Sequence, residues 1–188
     1  MAEISLAYVT GNGFKFAVAE RALMGSGIVL VQERLSAPEI QSSQVEEVAA
    51  HAAEWASLRL GQPAVVTDAG FYIEALNGFP GPFVKFVNEW LTAQDLLNLM
   101  RGKENRQAIV RDSLAYCRPD EKPITFSGSY LGQLATVLGE GEGTPMERVF
   151  VPEGHTIPVS DFSAEERLAF WSRADVWQQL RDFLGVCR

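Results

Sequence analysis

Four groups of side chains have the types and spacing to act on a phosphorylated ligand. The first is the turn Thr10-Gly11-Asn12-Gly13-Phe14-Lys15. Its glycines let the backbone approach a phosphate closely, and the helix that starts there turns free N–H groups toward an anion. Lys15 stands one turn into that helix and could add a cation. The plain alternative is an ordinary strand-to-helix turn with a surface lysine, because glycine turns are common. The second group is Asp68, followed by Ala69-Gly70 at the end of a buried-looking strand. A carboxylate held by a rigid strand can hold Mg²⁺ or activate water; an isolated Asp-x-Gly more often caps a turn. The third is Glu39 in the loop after Pro38, which is simply solvated unless it meets Asp68 in space. The fourth is Lys85, between Phe83 and Phe86. It either snorkels past an apolar face or reaches into a cleft.

The elements that must position these groups are legible from periodicity. Ile4–Thr10 reads as a strand, Phe14–Ala22 as a helix stopped by Gly25-Ser26-Gly27, and Ile28–Gln32 as a second strand. Ser42 and Ser43 are candidate caps for an Ala- and Glu-rich helix over Gln44–Leu60. Ala64–Thr67 reads as a short strand and Phe71–Leu76 as a second extended piece. The turn-rich run Asn77–Pro82 precedes helical pieces at Phe83–Trp90 and Ala93–Met100. Strands are expected at Ala108–Cys117, Ile124–Ser127 and Tyr130–Leu138, then a flexible glycine-rich loop at Gly139–Gly143. Ser163-Ala164-Glu165-Glu166 has the capping-box pattern and opens a last helix expected to run to about Leu184. Early alternation and late clustering of strands indicate an α/β fold, a mixed central sheet flanked by helices.

Length and composition narrow the class. A chain of 188 residues suits one domain or two small lobes sharing a core. The net charge of −8 argues against a nucleic-acid-binding surface, which needs a basic patch, but leaves room for a small phosphorylated ligand. No apolar run is long enough for a membrane span, and Met1-Ala2-Glu3-Ile4 has no secretory pattern, so a cytoplasmic location is expected. Cys117 and Cys187 lack metal-ligand spacing and read as free thiols. With only His51 and His155, a histidine-rich metal centre is not expected.

Taken in order, these pieces resemble the inosine triphosphate pyrophosphatase family. Thr10-Gly11-Asn12-Gly13-Phe14-Lys15, Pro38-Glu39, Asp68-Ala69-Gly70 and Ala75-Leu76-Asn77-Gly78-Phe79-Pro80-Gly81-Pro82-Phe83 follow the family's order and spacing. Phe126-Ser127-Gly128, Gly132 and Phe150-Val151-Pro152-Glu153-Gly154 continue it, so nearly the whole chain is covered. The resemblance implies one pyrophosphatase-like domain over residues 1–188, elongated and two-lobed with a cleft between the lobes. It implies a homodimer and Mg²⁺-dependent hydrolysis of non-canonical purine nucleoside triphosphates to monophosphate and pyrophosphate. By position, Asp68 would act on the attacking water and share the metal with Glu39. Thr10, Gly11 and Asn12, with Lys15 and Lys85, would neutralise the triphosphate.

Three departures bear on that expectation. The family usually carries a second acidic residue where this chain has Thr67; Glu46 or Glu47 could supply the missing carboxylate. Gly143-Thr144-Pro145-Met146-Glu147-Arg148 lacks the aromatic residues that hold a purine, with Glu147 in place of an Asp. Trp171-Ser172-Arg173 stands for Ser-His-Arg, keeping Arg173 and losing the histidine, and Arg167 stands near a family lysine. The phosphate half is kept and the base-reading half is rewritten. Glu147, Arg167 and Arg173 are therefore the remaining substrate-binding candidates. The alternatives are a non-catalytic nucleotide-binding protein that kept the fold, and a hydrolase of another phosphorylated small molecule.

Overall fold

The computed structural model describes residues 3–186. Met1, Ala2 and Cys187, which entered the sequence expectations above, lie outside them. The strands are β1 (Ile4–Val9), β2 (Ile28–Glu33), β3 (Ala64–Ile73), β4 (Pro80–Gly81), β5 (Gln107–Cys117), β6 (Ile124–Leu134) and β7 (Phe150–Pro152). The helices are α1 (Gly13–Ala22), α2 (Val45–Leu60), α3 (Val84–Trp90), α4 (Ala93–Leu99), α5 (Ala164–Trp171) and α6 (Asp175–Phe183). The strands make one mixed sheet in the order β2-β1-β3-β5-β6-β7, with β4 on β3. β1 runs parallel to β2 and β3, whereas β4 and β7 are antiparallel to β3 and β6. The mixed α/β sheet expected from the sequence is therefore present.

The chain divides into two compact units. The first takes Met1–Asp68, Asp112–Gly128 and Leu168–Arg188. Its core is built of small side chains. Ala49, Ala52, Ala53 and Ala56 recur at helical spacing on α2 and are buried with Ala7, Val9, Ala64, Val66, Ala115 and Cys117. Alanine lets a helix lie close to the sheet with little side-chain entropy lost. α2 ends at Gly61 in the left-handed conformation, φ 65°. Gln44, which precedes α2, makes no side-chain cap bond; instead the Ser42 hydroxyl donates to Glu47 Oε2 and accepts from the Gln44 amide.

The second unit takes Ala69–Arg111 and Ser129–Arg167. α4 opens with a reciprocal capping box: Thr92 Oγ1 accepts from the Asp95 amide and Asp95 Oδ2 accepts from the Thr92 amide. The glycine-rich segment after β6, expected to be flexible, is pinned. Gly139 N–H donates to Arg148 O at 2.8 Å and Gly141 N–H to Asp161 Oδ1 at 2.8 Å.

Three expected elements come out differently. β3 is one continuous strand rather than two pieces, because it changes partner along its length: Ala64 and Val65 pair with β1, then Phe71 and Tyr72 with β4. Asp68 is thus mid-strand, beyond the residues paired with β1. β6 is likewise continuous through Gly128 and Ser129. The last helix is broken between α5 and α6. The capping box at Ser163 and Glu166 forms as expected. At the break the Ser172 hydroxyl donates to Leu168 O at 2.6 Å, competing with the helix ladder. Ala174 is then extended at ψ 124°, and α6 restarts so that Val176, Trp177 and Leu180 are buried.

Gly132 on β6 shows why the second unit needs a glycine there. A Cβ at this position would lie 2.6 Å from Phe150 Cε2 and would also meet the Val151 carbonyl of β7. Gly132→Ala is expected to cost about 2 kcal/mol through overpacking. Thermal unfolding would show this as a fall in Tm of roughly 4–8 °C; an unchanged Tm would mean that β7 yields freely.

Candidate active site

The N-terminal turn is built by Asn12. Its Oδ1 accepts from the amides of Phe14 at 2.9 Å and Lys15 at 3.1 Å, capping α1. The Asn12 amide donates to Thr10 Oγ1 at 3.1 Å, and Gln32 Nε2 on β2 donates to Thr10 O at 3.0 Å. The Thr10 amide is already committed to Glu33 O at 3.0 Å. Thr10 therefore shapes the turn with its hydroxyl and carbonyl. A Cβ on Gly11 or Gly13 would meet no atom within 4 Å, so this side of the turn is open. From the capped helix, Lys15 Nζ reaches the carbonyl of Thr67 on β3 at 3.4 Å. The lysine thus sits at the peptide that leads into Asp68.

Two residues that the sequence reading passed over complete this cluster. Asp112 on β5, the neighbour of β3, shares an electrostatic field with both Lys15 and Asp68. Burial pushes its carboxyl up from the ordinary value to about 6; the Lys15 charge opposes this and the Asp68 charge adds to it. The signal was present in sequence, since Arg111-Asp112 places two charges in a strand whose burial then runs unbroken from Ser113 to Cys117. The other residue is Tyr8, almost fully buried on β1. Its hydroxyl shares a 2.6 Å hydrogen bond with Thr67 Oγ1. Burial holds the phenol well above its usual range, with the Thr67 bond pulling the other way. The threonine that replaces a family carboxylate therefore has its hydroxyl engaged by Tyr8.

The other sequence candidates fall into separate places. Glu39 is exposed in the loop between β2 and α2. Glu46 lies in the first turn of α2, where Ser127 donates to it at 3.1 Å. Glu47 takes the hydroxyl of Ser42 at 2.6 Å. Arg173 lines an open cavity with Arg21 of α1 and Arg181 of α6.

In the second unit, Lys85 is exposed, its Nζ 5.8 Å from the Phe86 ring centroid. Glu147 is buried and closes its own loop by accepting from the Thr144 amide at 2.9 Å and the Thr144 hydroxyl at 3.2 Å. Arg167 approaches Glu147 Oε2 at 4.0 Å and donates to Glu142 O at 2.9 Å. Two substrate-binding candidates thus meet each other.

Among the described residues no three His, Cys, Asp or Glu side chains cluster as a metal site. The set that does gather, Asp68 and Asp112 beside Lys15, offers hard carboxylate oxygens. Mg²⁺ is commonly held by one or two carboxylates together with substrate phosphates, so the donor chemistry fits that ion.

The Ham1 family model matches residues 6–183. A dITP/XTP pyrophosphatase of Methanopyrus kandleri is 35% identical over 176 residues, 94% of each chain. One from Methanosarcina acetivorans is 39% identical over 151 residues, 80% of this chain and 82% of the relative. A HAM1 protein from Coxiella burnetii superposes with TM-score 0.83 at 23% identity, covering 98% of this chain and 100% of the other.

The Asp112 carboxyl gives a pH signature. Its raised value means that the folded chain binds this proton more tightly than the unfolded chain does. Its contribution to stability is then lost as pH rises from the usual carboxylate value, 3.8, through about 6. In metal-free buffer Asp112→Asn should gain stability over the parent progressively across that window and hold the gain above it. Denaturant titrations at several pH values measure this, and parallel curves for the two proteins would refute it.

Proposed function

Since the chain belongs to the Ham1 family over residues 6–183, we propose that it hydrolyses nucleoside triphosphates to monophosphate and pyrophosphate. The observation that carries this reading is the convergence of the capped turn, Lys15, Asp68 and Asp112 at the middle of β3. Relatives that match most of the chain bear the name dITP/XTP pyrophosphatase, which favours non-canonical purine nucleotides and nucleotide-pool sanitation.

In this reading, water attacks the α-phosphorus and the bond to the α,β-bridging oxygen breaks. Asp68 accepts the proton of the attacking water, and pyrophosphate leaves with the bridging oxygen. Lys15 and the open turn at Gly11 to Gly13 offset the growing negative charge, as preorganised cations and amides do. Lys85 adds a second cation. Asp68 and Asp112 would hold Mg²⁺, which when bound supplies further charge neutralisation on the phosphates. Tyr8 fixes the Thr67 side chain, and Lys15 grips the Thr67 carbonyl, so Asp68 departs from a strand held on two sides. Glu147 and Arg167 would read the rest of the nucleotide, whereas Arg173 lines the cavity at α1 and α6. The reading further takes residues 1–188 as one pyrophosphatase-like domain, dimeric and cytoplasmic. Among the described residues no helix is long and apolar enough to cross a membrane.

A panel of nucleoside triphosphates with Mg²⁺, read by pyrophosphate release, tests the activity. Asp68→Asn is expected to lower kcat by about 100-fold or more, while nucleotide still raises the Tm. Full activity in that variant would remove Asp68 from the mechanism. Absence of pyrophosphate from every nucleotide, with the Tm shift retained in the parent, would leave a binding protein instead.

A further inference from the structure

The first unit contains an open cavity of about 570 Å³ between the C-terminal half of α1 and the α5–α6 corner. Arg21, Arg173 and Arg181 line it, with Ser172, Gln178 and Trp177. Three arginines and one carboxylate, Asp175, are among its lining residues, in a chain whose net charge is −8. Arg181 donates through Nη2 to Gln178 Oε1, while its Nε is buried with no hydrogen-bond partner among the described residues. A buried guanidinium N–H without an acceptor calls for one. Phosphate oxygens match the planar fork of arginine.

The cavity is set apart from the Asp68 cluster by helix geometry. Arg21 lies six residues beyond Lys15 on α1, which places it about 9 Å further along the axis and about a third of a turn around it. The space is of the size that takes a small organic molecule, and Trp177, Ala169 and Met24 add apolar wall.

We propose that this cavity binds a phosphate-bearing anion of nucleotide size, with the phosphate on Arg21, Arg173 and Arg181 and the nucleoside against the apolar wall. Binding here does not depend on the proposed hydrolysis.

Trp177 provides the readout. Its indole N–H resonance, assigned with Trp177→Phe, would be followed while a nucleoside monophosphate, pyrophosphate or the unphosphorylated nucleoside is titrated into the full chain. The monophosphate should shift it saturably. Arg21→Gln with Arg181→Gln should weaken that binding about tenfold or more, with the initial rate of triphosphate hydrolysis unchanged. Each single variant should show a smaller loss in the same direction, so the test survives if the double variant fails to fold. Pyrophosphate saturating the same shift would also support the phosphate contact. Trp177 packs edge-on against Tyr8, 5.6 Å between centroids, so an effect relayed from Asp68 must be separated. Lys15→Ala should therefore leave the titration intact. No shift up to about 10 mM ligand, an equal response to the bare nucleoside, or loss of the response in Lys15→Ala would each overturn the proposal.

Discussion

The hydrogen bond between Tyr8 and Thr67 is the contact on which the first unit's geometry turns. Tyr8 is almost fully buried on β1. It stacks on Phe16 of α1 at 6.3 Å and meets Trp177 of α6 edge-on at 5.6 Å. A buried phenol hydroxyl must find a partner, and leaving it unmade costs on the order of 1–3 kcal/mol. Thr67 supplies that partner at 2.6 Å. One side chain thereby joins two strands and two helices beside Asp68. Placing a carboxylate at position 67 would put a charge against a wholly enclosed phenol, so Tyr8 and Thr67 form a matched pair.

The same neighbourhood shows how charge is arranged without an acidic residue at position 67. Asp112 reaches the field of Asp68 from the adjacent strand β5, and Lys15 enters from α1. Two carboxylates close together resist being ionised at once, and a nearby cation eases that resistance. Burial raises the Asp112 carboxyl and the Asp68 charge adds to that rise, so the two carboxylates act on each other across neighbouring strands. Lys15 bonds to the peptide of Thr67, so its position is set by backbone rather than by the carboxylates alone.

In the second unit the polar side chains serve structure as well as any ligand. Glu147 is buried because Thr144 and Arg167 satisfy it, and the Ser160 amide donates to its carbonyl at 3.1 Å. The Met146 amide is taken by Asn88 of α3 at 3.0 Å. Glycines at 139 and 141 let this loop press against Ser160 and Asp161, where a Cβ would collide. A loop of this composition looks mobile in sequence, but close packing and satisfied amides hold it in one shape.

Local signals in the sequence determined a great deal. The Ala- and Glu-rich pattern of α2 and the Ser163–Glu166 capping box each act over a few residues, and each formed as read. The order of short motifs from Thr10 to Gly154 sufficed for the family and the mixed α/β fold. Tertiary structure decided what depends on residues distant in the chain. Asp112 stands 44 positions beyond Asp68 and enters its field only because β3 and β5 are neighbours in the sheet. The continuity of β3 followed from its change of partner, and the break before α6 from the seating of Trp177 on Tyr8. Periodicity reports which face of an element is apolar; it carries no record of which other element that face will meet.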